Sequence, residues 1–314
     1  MIPVRTRLEA TVSHVVDTTG GDQLVLHENR PPAGTARRRD VLLVHGIGGS
    51  HHSPYIRRAA GLLGQAGYRT WRLDQRGCGA GAQLARHHYH AGRTEDLQAA
   101  IAHILLESGA AGQSPVPLTV VGFSLGGNVL LKWLGESDDQ TLGPVDSAIA
   151  VTPPVNLLHG VHCLEQGLGR IYDRFFAHVL RRKIVERRRL RPDIHDTGIH
   201  PIPRKLYQID DQFTAPLAGF DSAETYYREC SALPWLPRIR TETLIIADRD
   251  DPVVPADTFA QCRFPDCLQL LLTRGGGHIG YRAVRSIDGD GNWLDWRILD
   301  WINSVHADSG SGMV

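Results

Sequence analysis

The sequence has few lysines, few cysteines and no excess of either charge. Only Lys132, Lys183 and Lys205 are lysines among its 34 basic residues, which leaves few candidates for Schiff-base chemistry. Its five cysteines are odd in number and scattered, which argues against a disulfide framework and favours a reducing, cytoplasmic compartment. The 34 acidic residues balance the basic ones, so the net charge gives no indication of a nucleic-acid partner.

Long apolar runs are also missing. No stretch approaches the roughly 20 apolar residues that a membrane helix requires. The first residues, "MIPVRTRLEATVSHVV", alternate polar and apolar positions and lack the apolar centre of a signal peptide. We therefore expect a protein with no integral membrane association.

The chain instead contains a regular series of strand and helix patterns. Two segments flanking "DTTGG" predict an antiparallel hairpin. Six further apolar runs then alternate with helical segments, which predicts a mostly parallel, eight-stranded sheet with helices on both faces, an α/β fold. These runs are "DVLLVHG", "YRTWRLD", "PLTVVGF", "DSAIAVT", "ETLIIAD" and "CLQLLLT".

One region interrupts this alternation. Residues 153–238 contain no convincing buried strand, and they include a long helical pattern with Ile171, Phe175, Val179 and Val185 along one side. We predict a mostly helical cap insertion over the end of the sheet, with residues 1–152 and 239–314 forming the core.

A lone serine lies at a tight strand-to-helix turn. "TVVGFSLGGNVLLKW" places Gly122, Ser124 and Gly126 in a G-x-S-x-G pattern between an apolar strand and a helix, which is typical of a nucleophile elbow. An unassisted serine hydroxyl is a poor nucleophile, so the pattern predicts a histidine base and an orienting acid later in the chain. The alternative is an ordinary glycine-rich turn.

Candidates for both partners follow later strands. "LIIADRDDPVVP" ends a strand in acids, and "LQLLLTRGGGHIGY" places His278 in a glycine loop after the last strand. The order Ser, Asp, His is that of the α/β-hydrolases. The downstream prolines favour Asp251 as the acid, whereas counting from Ala247 selects Asp250. His278 as a plain loop residue, and the aspartates as turn formers, remain alternatives.

A glycine-rich loop completes the candidate site. "HGIGGS" follows the strand "VLLV", where an acyl-transfer enzyme needs backbone N–H groups for an oxyanion. We predict these donors to be Ile47 and Leu125, the residue after the serine. The alternative is a flexible turn.

Seven motifs occur together in this chain: "HGIGGSHHSPYIRRAA", "RGCG", "YHAGRTEDL", "GFSLGGN", "FDSAETYYRECSAL", "LIIADRDDPVVP" and "GGGHIGY". From Val41 to Trp301 the chain thereby resembles the YheT-like (embryogenesis-associated-protein type) α/β-hydrolases. The resemblance implies an α/β-hydrolase fold with a helical cap, a relay of Ser124, Asp251 and His278, and hydrolysis of short-chain and acylglycerol esters without a cofactor. The chain departs from the family pattern at two places. At Gly48 the family commonly has an acidic residue, and at Ala247 and Asp248 it commonly has the pair Asn-Ala or His-Ala.

Other features bear on substrate and partners. We predict that His45, Tyr172, Phe175 and Phe176 help to line an apolar substrate pocket for a small-molecule or lipid ester. The basic run from Arg181 to Arg191 indicates either a solvated helix face or weak attraction to an anionic lipid surface. Clustered histidines could suggest zinc, but serine chemistry needs no metal and no cysteine pairs with zinc spacing accompany them, so we expect none. These histidines are His51, His52, His87, His88 and His90, near Asp96.

The sequence thus predicts a serine carboxylic-ester hydrolase that acts through an acyl-enzyme. An acyltransferase that uses the same acyl-enzyme is the alternative among enzymes. A catalytically silent binding protein on this fold is the alternative from another class.

Overall fold

A single eight-stranded sheet forms the centre of the molecule in the computed structural model, which describes residues 11–32, 39–109, 116–194, 196–260, 262–283 and 288–310. The strand order is β1-β2-β4-β3-β5-β6-β7-β8. The strands are β1 (Thr11–Asp17), β2 (Gln23–Asn29), β3 (Asp40–Val44), β4 (Arg69–Asp74), β5 (Leu118–Phe123), β6 (Val145–Val151), β7 (Glu242–Asp248) and β8 (Leu268–Thr273).

Helices connect and cover these strands. The α-helices are α1 (Pro54–Gln65), α2 (Thr94–Gly109), α3 (Leu125–Glu136), α4 (Asp139–Leu142), α5 (Leu157–Leu164), α6 (Gly169–Leu190), α7 (Leu206–Ile209), α8 (Ala215–Leu217), α9 (Ala223–Cys230) and α10 (Trp293–Gly310). A π-helical turn spans Asp210–Thr214, and short 3₁₀ turns span Thr19–Gly21, Gly79–Gly81, Leu233–Arg238 and Ala256–Phe259.

The prediction of a mostly parallel sheet is confirmed. Strands β3 to β8 pair in parallel, whereas β2 is antiparallel to both β1 and β4. Every residue of β3, β4 and β5 is buried, as expected of central strands covered on both faces. Because parallel strands point the same way, the loops after β3, β5, β7 and β8 meet at one edge, where ligands bind in such sheets.

Between β6 and β7 every described element is helical, and α6 is the longest of these helices. Its buried side carries Phe176, Ala177 and Ile184. The predicted apolar side is therefore wrong for three of its four residues: Ile171 is 62%, Phe175 58% and Val185 56% exposed, whereas Val179 is partly buried. The helix carries apolar residues on two sides, and the sequence pattern alone does not tell which side packs inward.

No helix in the described part of the chain is both long and apolar enough to cross a membrane. All five cysteines are unpaired, and only Cys78 and Cys230 are buried.

Candidate active site

Ser124 lies at the turn between β5 and α3. Its backbone has φ 50° and ψ −120°, a conformation that costs free energy for any residue with a Cβ and is found mainly where function requires it. The neighbouring glycines are needed for space. A Cβ on Gly122 would lie 2.5 Å from Gly126 O, and one on Gly126 would lie 2.6 Å from His45 O. The serine hydroxyl therefore sits at the N-terminal, positive end of α3.

The structure brings Ser124, His278 and Asp251 together from three separate loops. Ser124 Oγ lies 3.0 Å from His278 Nε2, and His278 Nδ1 lies 2.9 Å from Asp251 Oδ2. Asp251 Oδ1 accepts hydrogen bonds from the N–H groups of Val253 and Val254, which orient the carboxylate. The His278 side chain is 12% exposed and that of Asp251 is 1% exposed. This arrangement has the contacts of a nucleophile, a base and an orienting acid.

The other two aspartates of this loop have different contacts. Asp250 is exposed, and its carboxylate accepts a hydrogen bond from Gly275 N at 3.2 Å. Asp248 accepts hydrogen bonds from Thr273 Oγ1 and Gly276 N. Burial alone would raise the pKa of Asp248, but these hydrogen bonds hold it below its usual value. Asp248 therefore fixes the glycine loop that carries His278.

Two backbone N–H groups near the serine have no acceptor among the described residues. They belong to Ile47 and Leu125, the predicted oxyanion donors, whereas the N–H groups of Gly46 and Gly48 on either side of Ile47 donate to tyrosine hydroxyls. Ser124 N donates to Val151 O. A Cβ on Gly46 would lie 3.6 Å from Ser124 Oγ, so the loop approaches the serine closely. The arrangement leaves two donors available for a developing oxyanion.

Two tyrosines that the sequence analysis did not select hold this loop. Gly46 N donates to the hydroxyl of Tyr55 at 3.0 Å, and Gly48 N donates to that of Tyr89 at 2.5 Å. Burial raises the pKa of Tyr89 well above its usual value, so its hydroxyl stays protonated. Both tyrosines lie in motifs that carry the family resemblance. Their place in these motifs is the sequence signal that could have identified them.

His45 lies beneath the same loop and is fully buried. Its Nδ1 lies 2.7 Å from Gly46 O, and its backbone O accepts a hydrogen bond from the side-chain amide of Gln75. Burial lowers the pKa of His45, so the ring is neutral at pH 7. His45 supports the loop from behind.

Val179 of α6 packs directly on the loop at Gly48. Its Cγ1 occupies the place that a Cβ on Gly48 would take, and Gly48 has a φ of +65°. An acidic side chain, common here in the family, would therefore collide with α6. In this chain the helix itself closes over the loop.

A largely apolar cavity begins at Ser124 and extends between the sheet edge and the inserted helices. Ile47 and Leu125 also line it, together with Tyr89. Its apolar walls from the inserted helices include Val161, Leu164, Phe176, Leu180, Ile184 and Phe213. Such a cavity fits the acyl chain or another apolar part of an ester.

The four residues predicted to line a pocket lie in different places. Phe176 is buried and lines the cavity. Phe175 points to solvent, and neither Tyr172 nor His45 is among the cavity's lining residues. Consecutive residues on a helix point about 100° apart, and in α6 this rotation turns Phe176 inward and leaves Phe175 exposed.

The histidines considered for zinc do not form one cluster within the described part of the chain. His87 contacts Asp22, and Asp96 pairs with Arg76. Two groups have the spacing a metal would need: His14 with His103 and Glu107, and the buried group of His27, His51 and Asp74, of which His51 was among the histidines considered. In the buried group Asp74 Oδ2 already lies 3.0 Å from His27 Nε2 and 2.6 Å from His51 Nδ1. These contacts make it a hydrogen-bonded cluster.

The strand order, the elbow and the three loops define an α/β-hydrolase. A family model described as "alpha/beta hydrolase fold" matches residues 41–281, and the chain belongs to this family. Within it the chain is a YheT-like protein: it is 31% identical to the YheT protein of Escherichia coli over 90% of this chain and 82% of that one.

More distant relatives are longer than this chain. It is 26% identical to a monoacylglycerol lipase of Saccharomyces cerevisiae over 78% of this chain, but it spans only 55% of that protein. It is also 26% identical to the phospholipase ABHD3 of Mus musculus over 86% of this chain and 66% of that one.

Solved structures share the fold at low identity. A soluble variant of the monoglyceride lipase of S. cerevisiae aligns with a TM-score of 0.59 over 96% of this chain and 97% of that one, at 18% identity. The Pyrococcus furiosus esterase Pf2001 aligns with a TM-score of 0.59 over 94% and 92%, at 14% identity.

Proposed function

We propose that this protein is a serine carboxylic-ester hydrolase that acts through a covalent acyl-enzyme. The broader class, a carboxylic-ester hydrolase of the esterase and lipase type, follows from the relatives with which the chain aligns. The observation that carries the finer proposal is the continuous hydrogen-bonded chain from Ser124 Oγ through His278 to Asp251.

The mechanism follows from the contacts. His278 Nε2 takes the proton of Ser124 as its oxygen attacks the ester carbonyl, and Asp251 stabilises the imidazolium that forms. The N–H groups of Ile47 and Leu125 stabilise the oxyanion, and losing one such donor typically costs about 3 kcal/mol. His278 then protonates the leaving alcohol. Water, activated by the same imidazole, releases the acid from Ser124.

The inserted helices support an apolar ester as substrate. Their side chains form most of the cavity wall, so we propose that residues 153–238 act as a cap that excludes water and holds the acyl chain. Lipid esters such as acylglycerols fit this wall, and a relative acts on them by its name. The proposed mechanism uses side chains and backbone groups only, with no cofactor.

Hydrolysis and acyl transfer differ in what removes the acyl group. We expect steady release of free acid from p-nitrophenyl esters in buffer without any acceptor alcohol or thiol. If p-nitrophenol appears in a single stoichiometric burst and turnover starts only when glycerol or a thiol is added, the protein is an acyltransferase instead.

Phe176 is expected to limit the acyl chain length. Phe176→Leu opens space in the cavity wall, and because a buried methylene contributes about 0.8 kcal/mol, kcat/KM for longer chains should rise several-fold relative to shorter ones. A series of soluble p-nitrophenyl esters measures this ratio. Phe175→Leu is the matched control, since its side chain points to solvent, and it should leave the preference unchanged. If both variants show the same dependence of kcat/KM on acyl chain length, Phe176 does not limit the chain length.

The outer face of α6 supports a weak contact with an anionic lipid surface. In the run from Arg181 to Arg191, Arg182 and Arg189 are exposed, whereas Arg188 pairs with Asp196. Val185 is exposed between them. Basic and apolar residues on one helix face favour interfacial binding. We expect the protein to sediment with phosphatidylserine vesicles but not with neutral vesicles. If it sediments with neither kind of vesicle, the contact is contradicted.

The five unpaired cysteines fit a cytoplasmic location. Fractionation of the cells that produce the protein tests this, since secretion would contradict it.

A further inference from the structure

The cavity that begins at Ser124 carries charged residues farther along α6. Lys183, Glu186 and Arg187 line it, together with His88 from the loop after β4. Lys183 Nζ lies 3.3 Å from Glu186 Oε2, so these two charges compensate each other. Arg187 contributes the remaining positive charge. Among these four side chains Arg187 therefore carries the one charge that no neighbour compensates.

Arg187 has no partner within the described ranges of the chain. It is only partly exposed, and its guanidinium makes no hydrogen bond or ion pair with any described residue. Burial lowers the pKa of Arg187 below its usual value, although an arginine remains charged at neutral pH. A partly buried cation without a partner is unfavourable, and an anionic ligand would compensate it.

The carboxylates nearest to Arg187 are already paired with other residues. Asp22 accepts hydrogen bonds from Arg76 and His87, as well as from backbone N–H groups. Asp196 pairs with Arg188, and Asp193 pairs with Arg191. Each acid of this neighbourhood therefore has its own cation. Arg187 is left to face the cavity.

His88 lies beside Arg187 and has no hydrogen-bond partner in the described part of the structure either. Burial, and then the positive charge of Arg187, lower the pKa of His88 to about 3, so its ring is neutral and offers one N–H donor. The other acid of the cavity, Asp210, has the hydroxyls of Thr214 and Tyr227 as partners. Arg187 and His88 thus form a free pair of donors.

The helix gives the spacing along its axis between Arg187 and the residue that contacts the oxyanion loop. Val179 packs on Gly48, next to the oxyanion donor Ile47. Arg187 follows eight residues later on the same helix, which corresponds to about 12 Å along the axis. Apolar residues such as Leu180 and Ile184 line the space between.

We propose that Arg187, assisted by His88, binds a negatively charged group of the substrate, a carboxylate or phosphate held at the end of the cavity, about 12 Å along α6 from the residue that contacts the oxyanion loop. The inference rests on the proposed ester hydrolysis. It deepens that function by narrowing the substrate class to esters with an apolar segment that ends in an anion. A negative charge on the acyl side and one on the alcohol side are two forms of the same chemistry.

Two pairs of esters with and without the charge test this site. The acyl-side pair is the mono-p-nitrophenyl ester of decanedioic acid and p-nitrophenyl decanoate. The alcohol-side pair is decanoylglycerol phosphate and decanoylglycerol. We expect Arg187→Gln to lower kcat/KM for the anionic member of one pair at least about tenfold more than for its neutral member, mainly through KM. The affected pair identifies the side that carries the charge.

Arg174→Gln is the matched control, because Arg174 is exposed on the same helix and does not line the cavity. It should leave the anionic-to-neutral ratio unchanged in both pairs. Unchanged ratios for Arg187→Gln in both pairs would overturn the proposal. The melting temperature of Arg187→Gln should stay level or rise, because an uncompensated cation is removed. A lower melting temperature with equal losses for all esters would assign Arg187 a structural role and would also overturn it.

A binding measurement separates this site from catalysis. In Ser124→Ala we expect decyl phosphate to bind at least about tenfold more tightly than in the Ser124→Ala, Arg187→Gln double variant, with little change for decanol. If wild-type protein hydrolyses none of the esters, the proposed function fails while this comparison still decides the anion site. Equal affinities for decyl phosphate would reject the site, whatever the enzyme hydrolyses.

Discussion

Ser124→Ala is expected to lower kcat for a p-nitrophenyl ester on the order of 10⁶-fold, because the other members of a triad act only through the nucleophile. The overall structure should persist, since the serine side chain is small and its described side-chain contact is with His278. Far-ultraviolet circular dichroism and the melting temperature check the fold. Steady-state turnover at saturating ester measures the loss.

Ser147→Ala is the control for Ser124→Ala. Ser147 is equally a buried serine on a neighbouring strand, but its hydroxyl contacts Arg39 and Thr119 near the start of β6, away from the candidate site. We expect this change to reduce stability by about 1 kcal/mol and to leave kcat nearly unaltered. A folded Ser124→Ala protein that retains more than a small fraction of wild-type kcat would refute the serine mechanism.

Asp251→Asn is expected to lower kcat on the order of 10⁴-fold, because an amide no longer holds the imidazole in the required tautomer or stabilises its charged form. The substitution keeps the size of the side chain. One carboxylate oxygen, Oδ1, accepts from Val253 N and Val254 N, and the amide oxygen can preserve those hydrogen bonds. The loss should therefore appear in kcat and not in the melting temperature.

Asp250→Asn provides the comparison within the same loop. Asp250 is exposed, and its recorded side-chain contact is with Gly275 N, so kcat should stay within about threefold of the wild-type value. Both variants are measured on one ester after each is shown to be folded. The opposite ranking would assign the orienting role to Asp250.

The sheet could be predicted from the sequence because buried parallel strands are continuous apolar runs. "DVLLV" and "LTVVGF" are buried at every position, as their composition suggests. The close approach at Gly122 and Gly126 was likewise predictable, since a G-x-S-x-G turn after a strand has few other geometries. The prolines after Asp251 fixed the register of the acid loop, and the structure brings that residue to His278.

The orientation of α6 could not be predicted from its periodicity. The helix has apolar residues on two sides, at Phe176 and Ile184 and again at Ile171 and Phe175. One set lines the cavity and the other faces solvent, and only the position of the helix over the sheet edge decides between them. A hydrophobic period identifies a helix but does not identify what it packs against.

The supports of the oxyanion loop depend on contacts between distant parts of the chain. Tyr89 is 41 residues away from Gly48 in sequence, and its hydroxyl meets the loop only after β4 and the following turn are in place. Arg187 is a similar case. From the sequence Arg187 cannot be distinguished from the other arginines of this run. The structure distinguishes it, because Arg188 and Arg191 pair with nearby acids and Arg187 does not.

Covalent labelling tests the central claim, a nucleophilic serine activated by His278, most directly. The protein is treated with a fluorophosphonate, digested, and analysed by mass spectrometry. We predict one phosphonylated residue, Ser124, with labelling lost in Ser124→Ala and strongly slowed in His278→Ala. No adduct on the folded wild-type protein, or an adduct on another residue that persists in Ser124→Ala, would contradict the account.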